Sequence, residues 1–316
     1  MTGLLWGLLF GLAAGLAIAL AALFGVWAER KVSARIQWRL GPQQAGPFGL
    51  LQTLADTLKL VLKEDIVPDA ADARLFRAAP LLVFAPVAMS MVVIPFWAGW
   101  APLDTSVGML FFLAIPSLSV LGVLVAGWSS HNTFATLGGL RGAAQMISYE
   151  LPRTISVLAI VVLAGSMRPS AVLAAWRWWW IPLLAISLAV FFVSSIAELN
   201  RGPFDIAEAE SELVAGYFAD YSGIRWSIFM MAEYGGLLVA GLFVGAVFLG
   251  IPAWLPGPAG IVGLVVVACL VAVAMMWAKW SFPRLRQDQL MGLAWKVLTP
   301  LALLQLVIVG LVIPWL

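Results

Sequence analysis

Cysteine and histidine are almost missing: Cys269 and His131 are the single examples of each. No disulfide can form within the chain, and no cysteine cluster exists to ligate an iron–sulfur centre or zinc. Electrons passing near this protein are therefore not carried on clusters of its own. Charge is scarce too. Asp, Glu, Lys and Arg make up 11% of 316 residues, against about a quarter in soluble domains, while 63% are hydrophobic. Lipid is the expected solvent. A phosphate-cradling glycine loop, a Ser–His–Asp set and a nucleic-acid patch are all lacking. The amino terminus, "MTGLLWGLLFGLAAGLAIALAALFGVWAERK", has no basic segment ahead of its apolar run from Met1 to Ala28. It reads as a retained transmembrane helix and not a cleaved leader.

What the chain does have is apolar length. A helix needs about 20 apolar residues to cross a bilayer. Eight stretches qualify, roughly Gly3–Trp27, Ala79–Ala101, Val107–Gly127, Gly142–Met167, Trp178–Ala197, Ser227–Gly250, Gly260–Phe282 and Leu293–Trp315. The expected fold is an all-α polytopic membrane protein, one transmembrane domain over 1–316. Its first cytoplasmic loop spans 28–78 and an acidic, partly helical cytoplasmic loop spans 198–226. Within the first loop, Phe48, Leu51, Leu54, Leu58 and Leu62 recur at helical spacing, with Gln52, Asp56, Lys59 and Lys63 elsewhere on the wheel. The pattern predicts an amphipathic helix, either lying in the membrane interface or packed on protein.

Basic residues set the topology. Sixteen of the eighteen Lys and Arg fall on one side of these spans, leaving Arg168 and Arg177 opposite. The positive-inside rule then puts both termini on the outer side and the long loops in the cytoplasm. The acids are as one-sided, with only Asp104 outside. A docking and reaction surface on one face is implied.

Three glutamates fall where the membrane penalises them: Glu150 in "ISYELPRT", Glu198 in "SSIAELNR" and Glu233 in "MMAEYGG". A carboxylate at mid-helix costs about 2.5–3.5 kcal/mol on insertion scales, so it faces a cavity or a partner. Each could be a structural hydrogen-bond group, with Arg153 a candidate partner for Glu150; together, at similar depth, they suggest a half-channel from the inner face. Beside them, "AELNRGPFDIAEAESELVAGYFADYSG" sets six carboxylates against Arg201. Pro203 predicts a helix start there, placing Asp205, Glu208 and Glu212 on one face and Glu210 off it. Crowded like charges beside a low-dielectric wall are relieved by a basic partner or by keeping one proton on the cluster, and a shared proton is the property a redox-to-proton coupling element needs.

These residues carry a resemblance. "ERKVSARIQWRLGPQQAGPFGLLQTLADTLKLVLKEDIVP", "GWSSHNTFATLGGLRGAAQMISYE", the acidic block, "FMMAEY" and "RLRQDQLMGLAWK", spanning Glu29 to Lys296, resemble one family. It is the subunit of respiratory complex I (proton-pumping NADH:quinone oxidoreductase) that joins the membrane arm to the peripheral arm, called H in bacteria and 1 in mitochondria. The resemblance implies a quinone chamber entered between helix 1, the interfacial helix and helix 6. It implies a proton and coupling path through Glu150, Glu198, Glu208, Glu210, Glu212, Glu233 and Asp56. Basic residues around the chamber and loops would be Arg30, Lys59, Arg201 and Arg286. Quinone would be a shared substrate, with FMN and iron–sulfur clusters held by partner subunits. Those partners would be peripheral-arm, small membrane and antiporter-like subunits in a bacterial inner membrane. The equivalent component of a membrane-bound hydrogenase or ferredoxin-linked oxidoreductase, and a stand-alone transporter, are the alternative readings.

Overall fold

The computed structural model describes the backbone of residues 2–97, 100–255 and 257–315, and the side chains within 9–97, 100–209, 212–255 and 257–314. Among these the structure is helical, without a β-strand. In chain order the helices are α1 (Thr2–Ile36), α2 (Leu51–Leu62), α3 (Ala73–Ser90), α4 (Gly108–Ser129) and α5 (Thr133–Ala164). Then follow the short α6 (Pro169–Ala175) and α7 (Trp180–Leu183), α8 (Ala185–Glu198) and the four-residue α9 (Glu210–Leu213). The remainder are α10 (Gly223–Phe243), α11 (Ile251–Trp254), α12 (Pro258–Ser281), α13 (Gln287–Leu293) and α14 (Thr299–Val312).

Seven of the described helices are long and apolar enough to cross a membrane, counting α10 with its π-helical extension to Phe248 and α13–α14 as one span. The fifth expected crossing is split. Trp180–Leu183 and Ala185–Glu198 meet at Leu184, whose ψ of 6° leaves the helical range. Leu184 N–H still donates to Trp180 and Leu188 N–H to Leu184, so the chain bends without losing its ladder.

Several spans outrun their sequence limits on the charged side. α1 continues through Arg30, Lys31 and Arg35, and α5 begins at Thr133, nine residues before Gly142. Asn132 caps α5 by accepting from the Phe134 N–H at 3.0 Å. Charged side chains end an apolar run, but they do not end a helix.

The larger departure lies after α8. Residues 201–209 form no helix; only Glu210–Leu213 do. Helical spacing there yields to packing: Phe204, Ile206, Ala207 and Ala209 are all buried. A regular helix would point some of these apolar groups away from the core. Gln145 on α5 fixes the loop, its amide donating to the carbonyls of Ala197 at 2.6 Å and Phe204 at 2.8 Å. Gly138 on α5 and Gly216 allow close docking. A Cβ on Gly216, which has φ +61°, would lie 1.8 Å from the Ala207 carbonyl oxygen, and one on Gly138 would lie 2.7 Å from the Gly216 Cα.

α3, α4 and α5 pack in sequence, α8 and α14 lie against α5, and α1 packs on α10 and α12. One apolar cluster includes Phe112, Phe191, Phe243 and Phe248; a second surrounds Tyr149, Phe204 and Met275. A third seats the end of the acidic loop, where Tyr221 stacks on Phe76 with centroids 3.9 Å apart. α2 inverts soluble logic. Its Leu51, Leu54, Leu58 and Leu62 are exposed, while Thr53 is buried against the protein. Uncovered leucines on one side and packing on α1 and α10 on the other are compatible with both expected placements.

Candidate functional site

Glu29 is the centre of the site. It lies on the last apolar turns of α1, only 6% exposed. Its Oε2 accepts from Arg201 Nη1 at 2.8 Å and from the Tyr234 hydroxyl at 2.8 Å, and its Oε1 accepts from Lys279 Nζ at 2.7 Å. Arg201, 1% exposed, also places its Nε 2.6 Å from Glu233 Oε1. Its guanidinium sits over the Tyr234 ring, 4.5 Å from the centroid. Two carboxylates thus face two cations across α1, α10, α12 and the loop after α8. Burial of Glu29 and Arg201 is tolerated because each has an opposite partner, with Glu233 and Lys279 completing the set from partly exposed positions. Burial would lower the Arg201 pKa, but Glu233 and Glu29 hold it above its ordinary value.

Three cavities surround this network. The first, about 450 Å³, lies between α1, α2 and α10. Ala22, Leu23, Val26, Leu60, Met230 and Met231 give it an apolar wall, while Glu29, Asp56 and Tyr234 give it a few polar groups. That balance and size suit a small organic ligand. The second, about 740 Å³, holds Asp205, Glu208, Glu233, Tyr234, Lys279 and Arg284. The third is a space of about 60 Å³ reached by Glu198, Asn200, Glu208, Tyr217 and Glu233. Tyr234 borders the first and second cavities; Glu208 and Glu233 border the second and third.

Beyond the third cavity, Glu198 is ion-paired with Arg153, buried in α5. The sequence suggests Arg153 as the partner of Glu150, three residues earlier; it instead reaches across to α8. Glu150 accepts from the Ser117 hydroxyl of α4. Each of the three intramembrane glutamates therefore has its own local partner. Glu198 and Glu233 are nonetheless linked by the third cavity, and Arg153 lies beside both Glu198 and Glu150.

In the loop, the acids expected on one helical face are separated. Asp205 accepts from Arg284 Nη2 at 3.0 Å; Glu208 accepts from the Tyr217 hydroxyl at 3.0 Å; Glu212 pairs with Arg141 at 2.9 Å. With 57% of its side chain exposed, Glu212 borders none of the three cavities. The side chain of Glu210 lies outside the described residues. Glu208 has no cation within ion-pair distance among the described residues. Burial, then the negative charges of Glu233 and Asp205, push its carboxyl well above the usual range. Burial likewise raises Asp205, against the opposing pull of Arg284. Tyr217 is raised by burial and by its carboxylate neighbour Glu208.

Of the remaining residues, Asp56 accepts from Arg30 at 2.6 Å and from Gln52 at 3.1 Å, on the wall of the first cavity. Lys59 stands in an adjoining groove, and Arg286, 82% exposed, pairs with Asp288 outside the network.

A sequence model of the NADH dehydrogenase family matches residues 10–310. The H subunit of NADH-quinone oxidoreductase from Geobacillus kaustophilus (strain HTA426) is 46% identical over 300 residues, covering 92% of this chain and 89% of that protein. The proteins of the same name from Bacillus cereus (strain B4264) and Anoxybacillus flavithermus (strain DSM 21510 / WK1) are each 45% identical, over 92% of this chain and 88% of theirs. The chain belongs to the family of NADH-quinone oxidoreductase H subunits.

Membership agrees with the resemblance carried by the five sequence blocks. The sequence alone does not mark Glu29, Tyr234 and Lys279 as site residues. Glu29 is legible only as the last letter before a basic run, and a positive-inside anchor explains such a run without it. The one signal is a lone acid ending an apolar stretch, the same signal that singles out Glu198.

Proposed function

We propose that this chain is the quinone-chamber and coupling subunit of a proton-pumping NADH:quinone oxidoreductase. Quinone enters the cavity between α1, α2 and α10. Reduction to quinol takes two electrons and two protons; the electrons come from an iron–sulfur cluster in a partner subunit docked on the cytoplasmic face. The chain contributes walls and carboxylates, and FMN and clusters reside in those partners. Small membrane and antiporter-like subunits lie alongside. Both termini face the outside of a bacterial inner membrane, as the basic-residue bias implies.

The observation that carries this reading is the sharing of lining residues among the three cavities. A negative charge appearing on quinone near Glu29 and Tyr234 is felt by Arg201, which also holds Glu233. Weakening either ion pair changes the field at Glu208, which has no ion pair among the described residues. Proton affinity at Glu208 and Glu198 then follows the redox state next door. Differential charge, not a wire of electrons, does the coupling.

A photoreactive quinone analogue added to the assembled complex tests the chamber. Labelling should fall on peptides of α1, α2 and α10, including Met230–Met231, and be competed by excess quinone. Uncompeted label, or label confined to other subunits, overturns the assignment.

A further inference from the structure

We propose that the groove beside the first cavity binds the phosphate headgroup of an anionic phospholipid. The groove, about 380 Å³, is lined by Arg30 of α1, by Asp56, Lys59 and Lys63 of α2 and its C-terminal end, and by Gly223 and Trp226 at the start of α10. Three cations face one carboxylate. Arg30 is already engaged by Asp56 at 2.6 Å. Lys59 and Lys63 make no hydrogen bond or ion pair with the described residues. They lie one helical turn apart, so both ammonium groups can reach a single anion.

The lipid identity follows from what borders the lysines. Leu58 and Leu62, next in sequence to Lys59 and Lys63, are 56% and 85% exposed. α2 thus presents uncovered leucines beside unneutralised lysines, the arrangement of a helix lying at headgroup depth with its apolar side in the acyl region. Acyl chains against Leu58 and Leu62 and a phosphate on Lys59 and Lys63 would satisfy both. Trp226, shared by groove and cavity, has the amphipathic character favoured at that depth. A soluble phosphate would meet the cations but leave the leucines uncovered. The neutral headgroup of quinone would not need the cations. This site stands without the quinone assignment.

The assembled complex in nanodiscs of phosphatidylcholine with a minor fraction of phosphatidylglycerol supplies the test. Bound lipid is counted by mass spectrometry after exchange into phosphatidylcholine alone. Retained phosphatidylglycerol should fall roughly five-fold in Lys59→Gln or Lys63→Gln and about thirty-fold in the double variant, from the near-surface worth of a basic residue. Arginine at both positions should restore it. Both lysines are exposed, so the neutral variants leave the fold intact, and assembly is verified on the same preparation. Unchanged retention in the double variant overturns the proposal. Displacement of the lipid by millimolar inorganic phosphate overturns the lipid as the ligand and leaves a free-anion site. Because retention is read without turnover, the outcome is separate from that of quinone labelling.

Discussion

Arg201 and Glu29 lie 172 positions apart in sequence and 2.8 Å apart in the fold. The contact joins the end of the first transmembrane helix to the loop after α8. It forms where both groups are almost fully screened from bulk solvent. Arg201 also lies with its Nε 2.6 Å from Glu233, so one guanidinium connects the wall of the apolar cavity to the acid-lined ones. Replacing it leaves Glu233 without a cation among the described residues and leaves Glu29 to Lys279 and Tyr234 alone.

Arg201→Met should therefore destabilise the fold by about 3–5 kcal/mol, the usual result of breaking a buried pair from one side. Arg201→Lys should lose less, since one ammonium can serve one carboxylate but not both at once. Thermal unfolding of the assembled complex, or the yield of assembled complex, reads the difference. Equal stability of Arg201→Met and the parent would show the network to be slack.

Glu208 gives a pH signature. Its folded pKa is raised by burial and by Glu233 and Asp205, so the folded state binds its proton more tightly than the unfolded chain does. The resulting stability is fully present below the ordinary carboxylate pKa and is lost as pH climbs towards the folded value. Glu208→Gln fixes the neutral form. That variant should flatten the fall in thermal stability above the ordinary carboxylate range, and its unfolding temperature should match or exceed the parent's at neutral pH. A variant that keeps the parent's full pH slope would place the titration elsewhere.

Gly216→Ala tests the docking of the acidic loop. The new methyl meets the Ala207 carbonyl oxygen at an impossible 1.8 Å and sits on a left-handed backbone, a conformation that alone costs about 1–3 kcal/mol. The loop should lift from α5. Limited proteolysis between residues 201 and 222 should quicken by at least about tenfold, whereas Gly292→Ala, with open space around it, should leave it unchanged.

The helical frame is legible in the sequence because membrane spans obey a single rule, apolar length: seven of the eight expected spans appear as helices long enough to cross, and the fifth is bent at Leu184. The helix α2 is legible too, because its leucine spacing marks an amphipathic helix whichever surface its apolar side meets. The acidic loop is not. Pro203 and the spacing of Asp205, Glu208 and Glu212 satisfy a helix, but Phe204, Ile206, Ala207 and Ala209 each need a pocket of their own, and tertiary packing outweighs local preference. Partners are the other blind spot. Arg153 lies in reach of Glu150 along one helix, yet its charge is used by Glu198 from α8. No spacing in a sequence encodes a contact across two helices. Glu29, Tyr234 and Lys279 escape notice because each looks ordinary in its own segment, and only folding brings them together on one carboxylate.

Glu198 and Glu212 separate the two kinds of acid. Glu198 borders the third cavity and neutralises a buried arginine, while Glu212 is half in solvent beside Arg141. An exposed pair of that kind is worth about 0–1 kcal/mol. Glu212→Gln should leave stability and quinone-linked proton uptake close to the parent's, and Glu198→Gln should reduce both. Equal loss from the two substitutions would assign the exposed acid a role its surroundings do not suggest.

In the proposed function, quinone chemistry in the cavity between α1, α2 and α10 is felt by carboxylates in the spaces beyond Arg201. Proteoliposomes of the assembled complex, with protons moved per quinone reduced measured for Glu208→Gln and Glu233→Gln, address it directly. The expected result is a proton-to-electron ratio that collapses in both variants while membrane assembly persists. A parental ratio in both would contradict the coupling role and leave the buried acids with a structural one.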